Sequence, residues 1–291
     1  MERRKIHNEG PAFSRIIAGA WRWHTVPQNA ISNLINTALD QGITTFDHAD
    51  IYGDHSNEEI FGNVIRNNAS LRDKMELVTK CGIKFSSAKR PATWVKHYDT
   101  SKEHILWSAE NSLKMLGTDR IDLLLIHRPD PLLDPQVVAE AFTTLKSSGK
   151  VLHFGVSNFT SAQFEMLQSY LPFPLVTNQI EISLTCTHTL FDGTLDGLMK
   201  HRVSPMAWSP LGGGSLVSGS SSDLFKKKST YNATDSQMSL AWLLRHPSVI
   251  FPVIGTTNAD RIVESARASS IKIDTQDWFE MLKIAMGKEM P

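Results

Sequence analysis

"IDLLLIHRP", residues 121–129, is the stretch on which the fold turns. From Ile121 to Ile126 only Asp122 is polar, and the chemistry then changes abruptly at His127 and Arg128. A strand with one face in water alternates apolar and polar residues, whereas a nearly continuous apolar run is a parallel strand with helices over it. The same kind of run recurs on both sides, separated by stretches of helical period. "SRIIAGA" (14–20), "GITTFDHA" (42–49) and "MELVTKC" (75–81) precede it; "LHFGVSN" (152–158), "LVTNQIEI" (175–182), "RVSPMAWSP" (202–210) and "VIFPVIGT" (249–256) follow. Eight βα units in roughly 290 residues predict a closed (β/α)8 TIM barrel and not an open sheet.

The helical stretches carry their own punctuation. Ile31, Leu34, Ile35, Ala38 and Leu39 share one face, and Gly42 is placed to stop that helix. Ser56 with Glu59, and Thr100 with Glu103, have the spacing of capping boxes, and Gly117 is a second stop. Further helices are expected from about Pro135, Ser161, Thr194, Asp235 and Ala259. The chain reads as one domain over residues 1–291, with a hairpin at about 1–13 closing the barrel floor and an added helix at about 274–287. "LGGGSLVSGSSSDLFKKKST" (211–230) predicts a mobile surface loop.

Charge excludes some partners. Lys plus Arg and Asp plus Glu are equal at 30 each, so no net field gathers nucleic acid or anionic lipid. The two cysteines, Cys81 and Cys186, form no metal or redox motif, which suits a reducing cytoplasm. The charged start "MERRKIHNEGPAF" leads into no apolar run, and no window approaches the ~20 apolar residues of a membrane span. Neither export nor membrane insertion is expected.

In a barrel the chemistry gathers at the C-terminal strand ends. Those ends carry Asp47 with Tyr52 just beyond, Lys80, His127, Ser157, Asn158 and Gln179. A phenol, with an ordinary pKa of about 10, gives up its proton more readily beside a lysine cation, and an aspartate keeps that lysine charged. His127 can orient a carbonyl oxygen or relay a proton. Asp47, Tyr52, Lys80 and His127 therefore describe general acid catalysis at a C=O group. "DHAD" (47–50) lacks a second histidine at ligand spacing, so no metal is expected.

The order "FDHADIYG", "VTKCG", "LLLIHRP", "GKVLHFGVSNF", "TNQIEIS", "AWSPLGGG", "VIGTTNADRIVES" resembles that of the aldo-keto reductases over nearly the whole chain, and of their bacterial oxidoreductase branch in particular. The resemblance implies NADPH-dependent reduction of aldehydes or ketones, with NADH possible and Tyr52 as proton donor. It implies that Ser157, Asn158 and Gln179 hold the carboxamide and that Trp208 is the floor under the nicotinamide. Ala20 and Trp21 join that cofactor set. Ser209, Leu211, Gly212, Gly213 and Gly214 resemble the loop over the pyrophosphate, where glycines let main-chain amides approach anionic oxygens. Thr256, Thr257, Arg261 and Glu264 match the adenosine end, although Gly255 stands where many relatives have lysine. Trp21, Trp23, Trp94 and Tyr98 are expected to wall the substrate pocket, favouring aromatic or medium-length carbonyl compounds. The partner is a small carbonyl substrate, and the chain is expected to be a monomer or a weak homo-oligomer. Two rivals stay open: a cofactor-binding regulatory barrel with slow turnover, and a Schiff-base aldolase using Lys80.

Overall fold

The computed structural model describes residues 1–217 and 223–289. The chain begins with an antiparallel pair, β1 (Arg3–Lys5) and β2 (Ala12–Ser14). The barrel then builds as β3 (Ile17–Gly19), α1 (Gln28–Asp40), β4 (Thr45–Asp47), the short α2 (Tyr52–His55), α3 (Asn57–Asn67) and β5 (Glu76–Cys81). A two-stranded ribbon, β6 (Ile83–Lys84) with β7 (His97–Tyr98), interrupts it. After this come α4 (Lys102–Leu116), β8 (Ile121–Ile126), α5 (Pro135–Ser147), β9 (Val151–Ser157), α6 (Ser161–Ser169) and β10 (Leu175–Glu181). α7 (Thr194–Lys200), β11 (Met206–Trp208), α8 (Asp235–Leu244), β12 (Phe251–Ile254), α9 (Ala259–Arg267) and α10 (Thr275–Met286) complete the chain.

β3, β4, β5, β8, β9, β10, β11 and β12 pair in that order, all parallel, and β12 returns to β3, so the sheet is a closed eight-stranded barrel. The 121–126 run shows why the strands are apolar throughout. Leu123 and Leu125 point into the barrel with Val78, Val176, Met206 and Phe251, while Leu124 and Ile126 pack outward under Phe142 and Ile105. The β1–β2 pair adds Ile6 and Phe13 to the interior cluster, with Phe13 edge-on to Phe251 at 6.4 Å. At the other end of the chain, α10 lays Trp278 flat on Trp242 at 5.0 Å.

Helix starts differ from the sequence reading in two places. Ser56 is itself in helical conformation, continuing the turn before it, and its hydroxyl donates to the Gly53 carbonyl instead of capping α3. α4 is capped one residue later than expected: Ser101 accepts from the His104 N–H at 3.2 Å, while Thr100 donates to Asp130 at 2.8 Å. Gly42 and Gly117 take positive φ of 73° and 67° behind their helices, the backbone state that stops a helix most readily at glycine. Of the loop expected at 211–230, residues 218–222 lie outside the described residues, and its start at 212–217 is a tight 3-10 stretch. The β6–β7 ribbon leaves no mark in the sequence, because two-residue strands show no periodicity.

Candidate active site

β4 ends at Asp47, after which the chain turns back so that Tyr52 faces the barrel mouth. That turn needs its glycine. Gly53 has φ 59°, and a Cβ there would meet Asn57 Oδ1 at 2.3 Å and His24 Cβ at 2.9 Å. Asn57 in turn donates to the carbonyls of Ala20 and Trp21 at 2.7 and 2.9 Å, tying the turn to the end of β3.

Lys80, on β5, is wholly buried. Its Nζ donates to Asp47 Oδ2 at 2.7 Å, to the His48 carbonyl at 2.7 Å and to the Tyr52 hydroxyl at 3.1 Å. Burial alone would pull the ammonium down, but Asp47 and Tyr52 outweigh it and hold Lys80 above its ordinary value. For Tyr52 the balance differs from the sequence reading: burial raises the phenol above its ordinary value, and Lys80 opposes this without reversing it. The lysine thus limits the rise. His127, at the end of β8, lies with its ring 5.8 Å from that of Tyr52. Burial, reinforced by the charges of Lys80, Arg128 and Lys96, pushes its imidazole well below the usual range, so it is neutral.

Asp47, Tyr52 and His127 open on a cleft of about 1040 Å³ that runs across the mouth. Ser157, Asn158, Gln179 and Trp208 line the same cleft and bond to one another. Asn158 donates to Ser157 Oγ at 2.7 Å and accepts from the Trp208 indole N–H at 2.8 Å. Gln179 donates to Asp47 Oδ1 at 2.9 Å, a link between the expected carboxamide set and the catalytic group that no spacing in the sequence signals. Trp21, Ser209, Leu211, Gly213 and Gly214 also face the cleft, and its far end is formed by Gly255, Thr256, Arg261 and Glu264. Glu264 accepts from the hydroxyls of Thr234 and Ser236 at the start of α8.

Other expected residues lie elsewhere. Ala20 is fully buried, and Gly212 turns toward Thr185, whose Oγ1 would stand 2.6 Å from an added Cβ. Neither these two nor Thr257 is among the cleft residues. Trp23 is not a pocket wall: it is 2% exposed, stacks on Phe61 at 5.9 Å and donates to the Thr256 carbonyl at 3.1 Å. Trp94 is 87% exposed, and Tyr98 pairs with Ile83 in the ribbon, so neither faces the cleft. The sequence reading missed both apolar and polar walls, Ile51, Ile83 and Phe85 among the former. His24, Asp54, Lys96 and Arg128 stand on the cleft wall, and the Arg128 guanidinium lies 5.3 Å from the Trp208 ring. Among the described residues Lys96 and Arg128 make no ion pair. Arg128 was legible as the neighbour of His127; Lys96 comes from the ribbon insertion, which carries no motif.

Among the described residues no three His, Cys, Asp or Glu are grouped to hold a metal ion, and no helix is long and apolar enough to cross a membrane. The profile of the Aldo/keto reductase family matches residues 15–285. The chain is 48% identical to a 6-dehydroglucose reductase of Agrobacterium fabrum, over 96% of each chain. It is 46% identical to the uncharacterized oxidoreductase YcsN of Bacillus subtilis, again over 96% of each. A crystal structure of the thermostable aldo-keto reductase Tm1743 with the inhibitor epalrestat superposes with a TM-score of 0.85 at 26% identity, covering 98% of this chain and 100% of that one.

Proposed function

The chain belongs to the aldo/keto reductase family of NAD(P)H-dependent oxidoreductases, and from that premise we propose that it reduces a small hydroxylated aldehyde to the alcohol, with NADPH as reductant and Tyr52 as general acid. The observation that carries the reading is Lys80, whose one ammonium bonds Asp47 and the Tyr52 hydroxyl together at the edge of the cleft.

The cleft suits the cofactor. It is long, it is lined by amide and hydroxyl groups at one end and by Arg261 at the other, and around Gly213, Gly214 and Gly255 nothing lies within 4 Å of an added Cβ. Bare backbone facing open space is what close approach by a pyrophosphate requires. Ser157, Asn158 and Gln179 would hold the carboxamide, Trp208 would floor the ring, and Thr256 with Arg261 would hold the adenosine end. A nicotinamide held there would supply hydride to a carbonyl carbon.

The remaining chemistry belongs to the chain. Tyr52 delivers its proton to the carbonyl oxygen as negative charge develops there. Lys80 stabilises the phenolate left behind, and Asp47 keeps Lys80 charged. Neutral His127 can hydrogen-bond the same oxygen without competing as an acid. An amine held protonated by three acceptors is no nucleophile, which counts against the aldolase reading of Lys80.

The substrate class follows from the wall. Trp23, Trp94 and Tyr98 lie elsewhere, while Trp21, Ile51, Phe85 and Trp208 leave apolar wall beside the polar groups. Lys96, Arg128, His24 and Asp54 offer hydrogen bonds suited to hydroxyl groups, in keeping with the relative named for an oxidised hexose. We place the protein in a reducing cytoplasm, where Cys81 and Cys186, both free, stay thiols. Tyr52→Phe tests the assignment: NADPH affinity should stay within about twofold while kcat for reduction falls by a factor on the order of a hundred or more. A variant that keeps its kcat overturns it.

A further inference from the structure

Two cations on the cleft wall have no counter-charge on the chain. Arg128 follows His127 directly at the end of β8, and Lys96 comes from the insertion just before β7. Among the described residues neither makes an ion pair or donates a hydrogen bond. Burial depresses the His127 imidazole first, and then the charges of Lys80, Arg128 and Lys96; Arg128 also acts on Tyr52. The two cations therefore stand beside the groups that would face the carbonyl oxygen.

The carboxylates of the cleft do not balance them. Asp47 is engaged by Lys80. Asp235 is paired with Lys228 at 2.7 Å, and Glu264 accepts from Thr234 and Ser236, both toward the end that Arg261 occupies. That leaves Asp54, which is exposed and pairs with neither cation. Arg22, whose guanidinium lies 5.1 Å from the Trp21 ring, is likewise unpaired among the described residues and adds to the positive side. A cleft lined by one sign of charge focuses its field and gathers ligands of the opposite sign.

Arg128 is held in a form suited to that task. Its guanidinium lies 5.3 Å from the Trp208 ring, a contact that fixes the cation while leaving its N–H groups unused. The guanidinium fork matches the paired oxygens of a carboxylate or phosphate, and the lysine ammonium is a point charge that adapts to either. A hydroxyl group can take a hydrogen bond from each, but it leaves both charges uncompensated once the substrate has displaced water from the cleft. An anionic oxygen compensates them.

We propose that the carbonyl substrate carries an acid group, a carboxylate or a phosphate, away from its carbonyl, and that Arg128 and Lys96 bind that group. This rests on the reductase reading above and adds a charge to the hydroxylated aldehyde named there.

Two matched pairs of aldehydes test it in the NADPH-loaded enzyme: glyceraldehyde 3-phosphate against glyceraldehyde, and glucuronate against glucose, with kcat/KM expressed per free aldehyde. In at least one pair the acid should be preferred by about tenfold or more, mainly through KM. Which pair shows it tells phosphate from carboxylate. Raising the salt concentration should shrink the preference, because Lys96 is exposed. Arg128→Gln, which keeps hydrogen-bond donors and removes the charge, should bring the preference to within about twofold, and Lys96→Gln should lower it by about threefold. Equal use of acid and neutral aldehyde in both pairs, or a preference that survives Arg128→Gln and Lys96→Gln together, would overturn the proposal and leave the reductase reading standing. Reduction of none of the four aldehydes would overturn that reading, and this proposal with it.

Discussion

Replacing Lys80 by methionine removes the charge next to Tyr52 and keeps most of the side-chain volume. At the 3.1 Å that separates Nζ from the phenol oxygen, an ammonium and a phenolate attract by about 5 kcal/mol at an effective dielectric of about 20. If roughly half of the proton has left Tyr52 at the transition state, about 2.5 kcal/mol of stabilisation is lost, a rate decrease on the order of a hundredfold. The substitution also leaves Asp47 Oδ2 without its cation in a buried site, although Gln179 still holds Oδ1. Asp47→Asn is therefore combined with Lys80→Met to remove the stranded charge. The assay is steady-state loss of NADPH absorbance with a hydroxylated aldehyde, followed across pH. Reduction needs the protonated phenol, whose titration already lies above its ordinary range through burial. Without Lys80 it moves higher still, so the alkaline fall in kcat/KM should shift to higher pH while the plateau drops. The decisive comparison is a double-mutant cycle with Tyr52→Phe. If Lys80→Met slows the reaction by the same factor when residue 52 is already phenylalanine, the lysine does not act through the phenol and the reasoning is refuted.

Two other perturbations probe the frame and the cofactor end. Gly62→Ala should destabilise the protein by about 2–3 kcal/mol in urea unfolding, because its Cβ would stand 2.0 Å from the Met115 carbonyl oxygen and force α3 away from α4; an unchanged midpoint would contradict the packing. Arg261→Ala should raise the Kd for NADPH by about tenfold in a fluorescence titration while leaving NADH within about twofold, since only NADPH carries a 2′-phosphate for the guanidinium fork. Equal weakening of both would remove Arg261 from that role.

The legible part of the site is the part written at strand ends. Asp47, Lys80, His127, Ser157 and Gln179 each close an apolar run or sit within one, and a parallel barrel brings such positions to a single rim. Tyr52 was found as a polar residue just beyond such an end. Aromatic residues in loops were misplaced, because a loop tryptophan gives no sign of which way it faces. Trp23 satisfied its indole N–H on the Thr256 carbonyl and went into the core, whereas Trp94 went to the surface. The placement of Lys96 on the cleft wall depends on how the 83–99 insertion folds, and short irregular segments carry no period from which to read that.

The sequence by itself determined the barrel, because the 3.6-residue and continuous apolar patterns of eight βα units are local properties that only one closed parallel arrangement buries on both faces of the sheet. It also determined which strand ends bear chemistry. The direction of the Tyr52 shift was a tertiary matter, since desolvation and the Lys80 charge act in opposition and their balance depends on depth and distance. So was the Gln179 link to Asp47 across 132 residues of chain. Hydrogen bonds between remote side chains are fixed by where the backbone has already been placed, and no local pattern encodes them.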